Sequence, residues 1–356
     1  MTLSDLLNLL RRAREPEEIF GALAGDLQVA LKRRYRELIT LAHPDHNQGE
    51  TVEANEACKL LHEWYATAQQ RIAHGSYGAP LRISVITRQH RYTGYEPPLY
   101  GDLCDLFPAD ADGMRVLLKV ARQVRNNDLL QTEADVLWRI DRALDGQAVR
   151  AHFPTLVEHL LLRDEAGIQR FTNVLRAETG YVSLAQVLQA YPGGLDPADA
   201  AWMFNRILAA LGVVHSLGIV HGAVVPSHIL IRPADHNGML IDWCYSVQAG
   251  DVLKAISPPY TADYPPEVSA RQAVAPATDI YMAARCMVRL LAGSGAAEDL
   301  PPGVPKPMRA LLRACLIPSP RRRPADAWQL FDDFQEILQR LYGQRTFRPF
   351  RMPATA

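Results

Sequence analysis

The pattern of apolar residues changes once along the chain, near residues 75–81, and this change constrains the fold most. Before it, apolar residues recur every three or four positions, as in amphipathic helices. After it come short β-branched runs between Gly and Pro turns, followed by long helical patterns. The stretch "GSYGAPL" at the change has the composition of a linker. We therefore expect an all-α domain over 1–74, a linker over 75–81, and an α+β domain over 82–340.

Composition excludes several classes of protein. The 356 residues suffice for two hydrophobic cores, and the net charge of -1 provides no basic field for nucleic acid. The apolar runs are shorter than the roughly 20 residues that a membrane span needs, and the acidic, amphipathic N-terminus is unlike a signal peptide. The 5 cysteines have no metal-site spacing, which favours reduced thiols and no structural metal. We expect a cytoplasmic protein without nucleic-acid or membrane partners.

The first 74 residues predict three helices around one apolar core. The first helix covers "SDLLNLLRRA", with Ser4 as its N-cap. The second begins near Asp26 and stops before Pro44, because proline disfavours helical backbone at the residue before it. The third helix runs from about residue 52 to 72. The apolar faces of the second and third helices are Leu27, Leu31, Tyr35, Leu38 and Ala42, and Ala54, Ala57, Leu61, Trp64, Tyr65 and Ala68.

The basic second helix, the stretch "HPDHN" after it and the third helix together resemble the J-domain of DnaJ-type co-chaperones. In that family the motif and the basic helix dock on a DnaK-type ATPase chaperone and stimulate ATP hydrolysis. The resemblance implies a triggering motif of His43, Pro44 and Asp45, and a docking face of Lys32, Arg33 and Arg36. The alternative is a helix stop beside a solvated face. The third helix ends in "QQRIAH", without the basic-aromatic cluster of the family.

Six fragments in one order resemble a protein kinase over 82–340. They are "RVLLKV" with Lys119, "LLQTEADVL" with Glu133, "GIVHGAVVPSHILI", "LIDWCYS" with Asp242, "YPPEV" with Glu267, and "SPRRRPADAWQLF" with Arg323. The resemblance implies a bilobal fold, with a small lobe to about residue 178 and a helical lobe after it.

The kinase resemblance also assigns a role to each fragment. Lys119 would hold nucleotide phosphates and be oriented by Glu133, and Asp242 would hold magnesium. Gly101 would be the remnant of the phosphate loop, and the backbone of 176–178 would meet adenine. Three further residues would be structural: Glu267 paired with Arg323 in a buried ion pair, and Asp279 anchoring the catalytic loop.

The loop "VHGAVVPSHILI" aligns with the family pattern "HRDLKPENIL" but lacks its reactive groups. His221, Pro226, Ile229 and Leu230 match the pattern. Ala223 stands in place of the general base, Val225 in place of the lysine, His228 in place of the metal-binding asparagine, and Cys244 in place of the glycine after the metal-binding aspartate. A positioned general base contributes roughly 10²- to 10⁴-fold to the rate. We therefore expect no catalytic residues in this loop and very slow phosphotransfer.

These resemblances together predict a co-chaperone or adaptor. Its first domain would recruit and stimulate a DnaK-type chaperone, and its pseudokinase domain would bind a client protein or sense ATP with magnesium. One alternative is an atypical active kinase that uses Lys119 and Asp242, and another is a scaffold that binds neither chaperone nor nucleotide.

Two local features give further expectations. The dipeptide Asn237-Gly238 predicts the tight turn between the strands of "ILIRP" and "MLIDW". Residues 341–356, which include Arg345, Arg348 and Arg351, predict a flexible basic tail.

Overall fold

The computed structural model describes residues 1–13, 15–47, 49–73, 77–78, 82–95, 97–163, 167–292, 300–344 and 346–353. Its backbone contacts divide the chain into two compact units, Met1–Val85 with Tyr95–Pro97 and Ile86–Gly94 with Pro98–Ala356. Most of the predicted linker, together with Arg345 of the predicted tail, lies outside the described residues. Among the described helices, none combines the length and apolarity that crossing a bilayer requires.

The first unit is helical, as the sequence predicts. Its helices are α1 (Leu3–Arg12), α2 (Pro16–Phe20), α3 (Leu27–Ala42) and α4 (Thr51–Ala73). The N-cap of α1 is Thr2 rather than Ser4, because Thr2 and Asp5 form a reciprocal capping box. The short α2 was not predicted; it begins with Pro16, whose fixed φ suits a first helical position.

Helices α3 and α4 form a hairpin whose contact face consists largely of small residues. Fully buried Ala42, Ala54, Ala57 and Ala68 let the two helices approach closely around Leu61. The larger predicted core residues Leu27, Tyr35, Trp64 and Tyr65 are only partly buried. The apolar stripe was therefore correctly placed, but its widest side chains lie at the margin of the core.

The second unit begins with an antiparallel sheet. The strands are β1 (Arg82–Ile86), which spans the division between the units, β2 (Arg91–Tyr95), β3 (Leu99–Tyr100), β4 (Cys104–Ala111), β5 (Met114–Ala121), β6 (Leu156–Arg163) and β7 (Gln169–Arg176). Within the second unit the order is β2-β4-β5-β7-β6, and β3 also pairs with β4. Strand β5 is thus central, and side chains on both of its faces are buried, such as Leu118 on one face and Lys119 on the other.

Helices dominate the rest of the second unit. They are α5 (Asn127–Ala143), α6 (Leu184–Ala190), α7 (Pro197–Ser216), α8 (Pro266–Ser269), α9 (Pro276–Ala292), α10 (Lys306–Cys315) and α11 (Ala327–Tyr342). Three short strand pairings involve β8 (Val182–Ser183), β9 (Ile219–Val220), β10 (Ile229–Arg232), β11 (Asn237–Leu240) and β12 (Val247–Gln248). Helix α7 is buried along most of its length, and a side chain at Gly212 would lie 2.6 Å from the Trp328 ring of α11. The chain therefore combines an all-α part with an α+β part, as the sequence predicts.

The turn between β10 and β11 was misplaced by the sequence analysis. Asn237 and Gly238 lie inside β11, where Asn237 pairs with Arg232. The chain turns at residues 233–236, with His236 in the left-handed region at φ 55. Gly238 serves a different purpose, because a Cβ there would lie 2.5 Å from the Cβ of Arg206 on α7. Glycine is therefore needed at this position because the strand packs closely against α7, not because the chain turns there.

The predicted flexible tail is also corrected. Residues up to Tyr342 complete α11, and the segment 346–353 packs along α7. Phe350 is buried against Trp202, at a centroid distance of 6.1 Å, and Arg348 pairs with Asp196 at 3.1 Å. The expectation failed because composition alone does not reveal aromatic anchors in a basic segment.

A buried ion pair joins the beginning of α8 to the chain before α11. Arg323 donates from two guanidinium nitrogens to the two oxygens of Glu267, at 2.6 and 2.9 Å. Both side chains are buried, and Thr278 donates a further hydrogen bond to Glu267 at 3.1 Å. A planar bidentate pair of this kind fixes the relative position of the two segments.

We predict that Glu267→Gln lowers the free energy of unfolding by about 3–5 kcal/mol, because it leaves a buried guanidinium without its counter-ion. Denaturant unfolding of the full chain measures the change. The control is Glu336→Gln, which breaks the exposed pair with Arg340 on α11 and should change stability little. Equal effects of the two substitutions would contradict a structural role for Glu267.

Candidate functional site

The candidate site is built around a lysine on the central strand β5 and a glutamate on α5. Lys119 Nζ lies 2.7 Å from Glu133 Oε1, and both side chains are buried. Asn173, opposite Lys119 in the register of β5 and β7, donates to Glu133 Oε2 at 2.8 Å. Sequence reasoning missed Asn173, although a polar residue in the apolar run "RFTNVL" was a usable signal. The strand and the helix thus hold this ion pair from both sides.

The third charged group is Asp242, which follows β11 and has a left-handed φ of 69. Its Oδ1 contacts Lys119 Nζ directly and accepts from Cys244 Sγ at 3.5 Å. Burial would raise the pKa of Asp242, but the positive charge of Lys119 and the contact with His228 hold it well below its usual range. Burial would lower the pKa of Lys119, but the attraction of Asp242 and Glu133 keeps it well above the ordinary value for lysine. At neutral pH Lys119 and Asp242 are therefore both ionised and paired with each other.

The loop before these groups keeps its shape through Asp279 on α9. The backbone N–H groups of His221 and Gly222 donate to the Asp279 carboxylate at 2.7 and 2.9 Å, and His215 Nε2 lies 2.9 Å from it. Gly222 has φ 75, and a Cβ there would lie 2.9 Å from the Tyr245 carbonyl oxygen. The loop is therefore rigidly placed even though its reactive residue types are absent.

The position predicted to have lost the general base is fully buried. Ala223 has 0% exposure and packs with Leu129, Cys244 and Tyr245. Val225, at the position of the family lysine, is equally buried. A methyl and an isopropyl group can neither accept a proton nor stabilise a transferring phosphoryl group.

His228 is the polar side chain that the loop contributes to the cluster. Its Nδ1 lies 2.9 Å from the Ala223 carbonyl oxygen, and its Nε2 lies 3.1 Å from Asp242 Oδ2. The ring stacks on Tyr245 with a centroid distance of 5.4 Å. Both carboxylate oxygens of Asp242 thus contact nitrogens of the protein, one from Lys119 and one from His228.

The turn predicted as the phosphate loop is tied to the protein on both sides. Gly101 N–H donates to the Cys104 carbonyl at 3.0 Å, and Arg122 donates to the Gly101 carbonyl at 2.7 Å. Asp102 accepts hydrogen bonds from Tyr245, at 3.3 Å, and from Ser257. Sequence reasoning missed this contact because the partners are 155 residues apart and no local pattern marks them.

The predicted adenine-binding backbone is partly used by the protein itself. Arg176 N–H donates to the Thr155 carbonyl at 2.9 Å, and Ala177 N–H donates to the Arg115 carbonyl at 3.0 Å. Of the three residues predicted there, Arg176 and Glu178 are exposed and Ala177 is half-buried. A nucleotide base would therefore have fewer backbone donors to meet than the sequence suggested.

The residues predicted on the first unit are exposed, except for Pro44, which is half-buried. His43 ends α3 and, with Pro44 and Asp45, leads into a short 3-10 turn; the side chains of His43 and Asp45 are 50% and 85% exposed. His43 Nδ1 accepts from Asp45 N–H at 3.2 Å. Asn47, which sequence reasoning missed, braces the turn by donating to the Leu41 and His43 carbonyls at 2.9 Å. The predicted docking residues Lys32, Arg33 and Arg36 line a shallow groove along α3 with Val29, Glu37 and Thr40.

Comparison with known proteins supports a kinase-like domain. No protein-family model matches the chain. A protein named serine/threonine-protein kinase F, from Synechocystis sp., is 29% identical over 235 residues, which cover 60% of this chain. The match spans only 45% of that kinase, so the chain corresponds to less than half of its length.

The buried His221 predicts a pH dependence of stability. Burial lowers the pKa of His221 to about 4, whereas an unfolded histidine titrates near about 6.5. Between these values the unfolded chain binds more protons, so the stability contributed by neutral His221 is lost as the pH falls. We predict that wild type loses about 2 kcal/mol more stability than His221→Gln between about pH 7 and pH 5.

Denaturant unfolding of both proteins at the two pH values measures this difference. The comparison concerns the change with pH, so a uniform cost of the substitution cancels. Equal losses in the two proteins would contradict the assignment of a neutral, buried His221.

Proposed function

We propose that the chain is a co-chaperone-like adaptor that joins a J-like domain, over 1–74, to a bilobal kinase-like domain over 82–340 that does not transfer phosphate. The first domain would recruit and stimulate a DnaK-type ATPase chaperone. The second would bind a client protein or respond to a nucleotide. The observation that carries the proposal is the fully buried Ala223 at the position of the general base, next to an Asp242 whose two oxygens already contact Lys119 and His228.

Loss of phosphotransfer is supported by three absences of chemistry at fixed positions. No proton acceptor replaces the base at Ala223, no charge replaces the lysine at Val225, and an imidazole replaces the metal-binding amide at His228. Asp279 holds the loop that bears these residues in place. A shift of the loop therefore does not bring another group into the position of the general base. Losses of this kind are not additive, but each acts on the same transition state.

A nucleotide response is supported by the parts that remain. Lys119 and Glu133 keep a buried ion pair on β5 and α5, which is the arrangement that positions phosphates in kinases. A ligand that binds only the folded chain stabilises it by an amount that grows with the logarithm of the ligand concentration above Kd, even when no reaction follows. ATP would thus act as a ligand rather than as a substrate.

Recruitment of a chaperone is supported by the exposure of the predicted motif. His43 and Asp45 project from the end of α3, on the same helix as the exposed cations Lys32, Arg33 and Arg36. The side chains of these three cations face solvent, where the acidic groups of a partner could reach them. Such charges chiefly raise the rate of encounter with a partner of opposite charge.

We predict that the full chain accelerates single-turnover ATP hydrolysis by a DnaK-type chaperone several-fold, and that His43→Gln abolishes the acceleration. The matched control is His46→Gln, because His46 is an exposed histidine of the same turn and should leave the acceleration unchanged. No acceleration by the wild-type chain would contradict the chaperone part of the proposal and favour a scaffold.

A second candidate function is an atypical ATP-dependent protein kinase. It is favoured by the name of the Synechocystis relative and by the intact pair of Lys119 and Glu133. The decisive measurement is the incorporation of radiolabelled phosphate from ATP into the chain or a generic protein substrate. Our proposal predicts no incorporation above that of Asp242→Asn, and incorporation that Asp242→Asn removes would establish the kinase instead.

A further inference from the structure

The magnesium ion implied by the kinase resemblance does not fit the donor atoms of this cleft. Mg²⁺ requires oxygen ligands in near-octahedral geometry at about 2.0–2.1 Å. Of the two positions implied to hold metal, Asp242 supplies a carboxylate and position 228 supplies an imidazole instead of an amide oxygen. Among the described residues, no group of three or more His, Cys, Asp or Glu side chains is arranged to hold a metal ion.

The imidazole of His228 is also oriented against a metal ion. The Ala223 carbonyl oxygen can only accept, so Nδ1, 2.9 Å away, donates to it. Nε2 then faces Asp242 Oδ2 at 3.1 Å, so the ring fills the space beside this oxygen. Stacking on Tyr245 holds the ring plane in this orientation. A metal ion on this oxygen would have to displace the ring.

The other carboxylate oxygen is blocked by Lys119. Its Nζ contacts Asp242 Oδ1 and at the same time lies 2.7 Å from Glu133 Oε1, so the ammonium group bridges two acids. Cys244 Sγ donates to the same oxygen of Asp242 at 3.5 Å. Lys119, Cys244 and His228 thus surround the carboxylate, and the ammonium group of Lys119 offsets the negative charge that would attract a divalent cation.

We propose that this cleft excludes divalent cations and that His228 is the residue responsible, because it occupies the second oxygen of Asp242 in place of a metal ion. A nucleotide that enters the cleft is then bound as the metal-free species. The statement about nucleotide rests on the proposed function, whereas the statement about the metal rests only on the geometry of Asp242.

The test uses the full chain and two variants at position 228. His228→Asn removes the ring and supplies an amide oxygen, whereas His228→Phe removes the ring nitrogens, supplies no ligand and keeps an aromatic ring beside Tyr245. Free Mn²⁺ is followed by electron paramagnetic resonance in a titration without nucleotide. Binding of a fluorescent ATP analogue is measured with Mg²⁺ and with a chelator. Thermal midpoints without ligand show whether each variant is folded.

We expect wild type and His228→Phe to bind no more Mn²⁺ than Asp242→Asn, which serves as the background. The affinity of wild type for the analogue should change less than about twofold between Mg²⁺ and chelator. His228→Asn should gain Mn²⁺ binding and a metal-dependent increase of about tenfold in affinity for the analogue.

Three results would overturn the proposal. They are tighter binding of the analogue to wild type with Mg²⁺, specific Mn²⁺ binding by wild type, and a folded His228→Asn that gains no metal binding. If no form binds the analogue, the Mn²⁺ titration alone decides, and only the statement about nucleotide fails. The chaperone assay with His43→Gln and its control His46→Gln tests the adaptor role separately, since both substitutions lie in the first unit.

Discussion

The buried ammonium group of Lys119 is the interaction on which the second unit's cleft depends. It joins three elements that are distant in sequence: the central strand β5, helix α5 through Glu133, and the segment after β11 through Asp242. An ion that has lost its water must be matched by charges and hydrogen bonds, or it destabilises the fold. Here two carboxylates match it, and Asn173 holds Glu133 in turn. The same contacts that stabilise the cleft also satisfy the groups that the resemblance to kinases assigns to a nucleotide and its metal.

The contacts around the cleft repeat this theme. Asp102 is bonded by Tyr245 and Ser257, the amides of Arg176 and Ala177 bond carbonyls of the protein, and His228 occupies an oxygen of Asp242. Each contact is ordinary, and each satisfies a polar group that a ligand would otherwise contact. A cleft with this balance is suited to structure or to weak, non-reactive binding, because a ligand must compete with bonds that already exist.

Local patterns explain why much of this could be predicted. The helix bounds of α3 and α4 follow from apolar periodicity and from Pro44. The lysine, glutamate and aspartate of the cleft were instead predicted from the resemblance to protein kinases. The wrong or missing predictions concern residues whose role depends on a partner that is distant in the sequence. Gly238 accommodates Arg206, Phe350 anchors the tail on Trp202, and Asp102 meets Ser257. No spacing along the chain encodes such contacts, so a sequence alone assigns these residues to turns, tails and loops.

The most direct test of the account is a double-mutant cycle between Lys119 and Asp242 in the absence of ligand. The free energy of unfolding is measured for wild type, Lys119→Met, Asp242→Asn and the double variant. If the two groups are internal partners, the double variant should be less destabilised than the sum of the single variants by at least about 1 kcal/mol. Additive effects within about 0.3–0.5 kcal/mol would show that the groups do not depend on each other, and would contradict a cleft whose charges are satisfied from within.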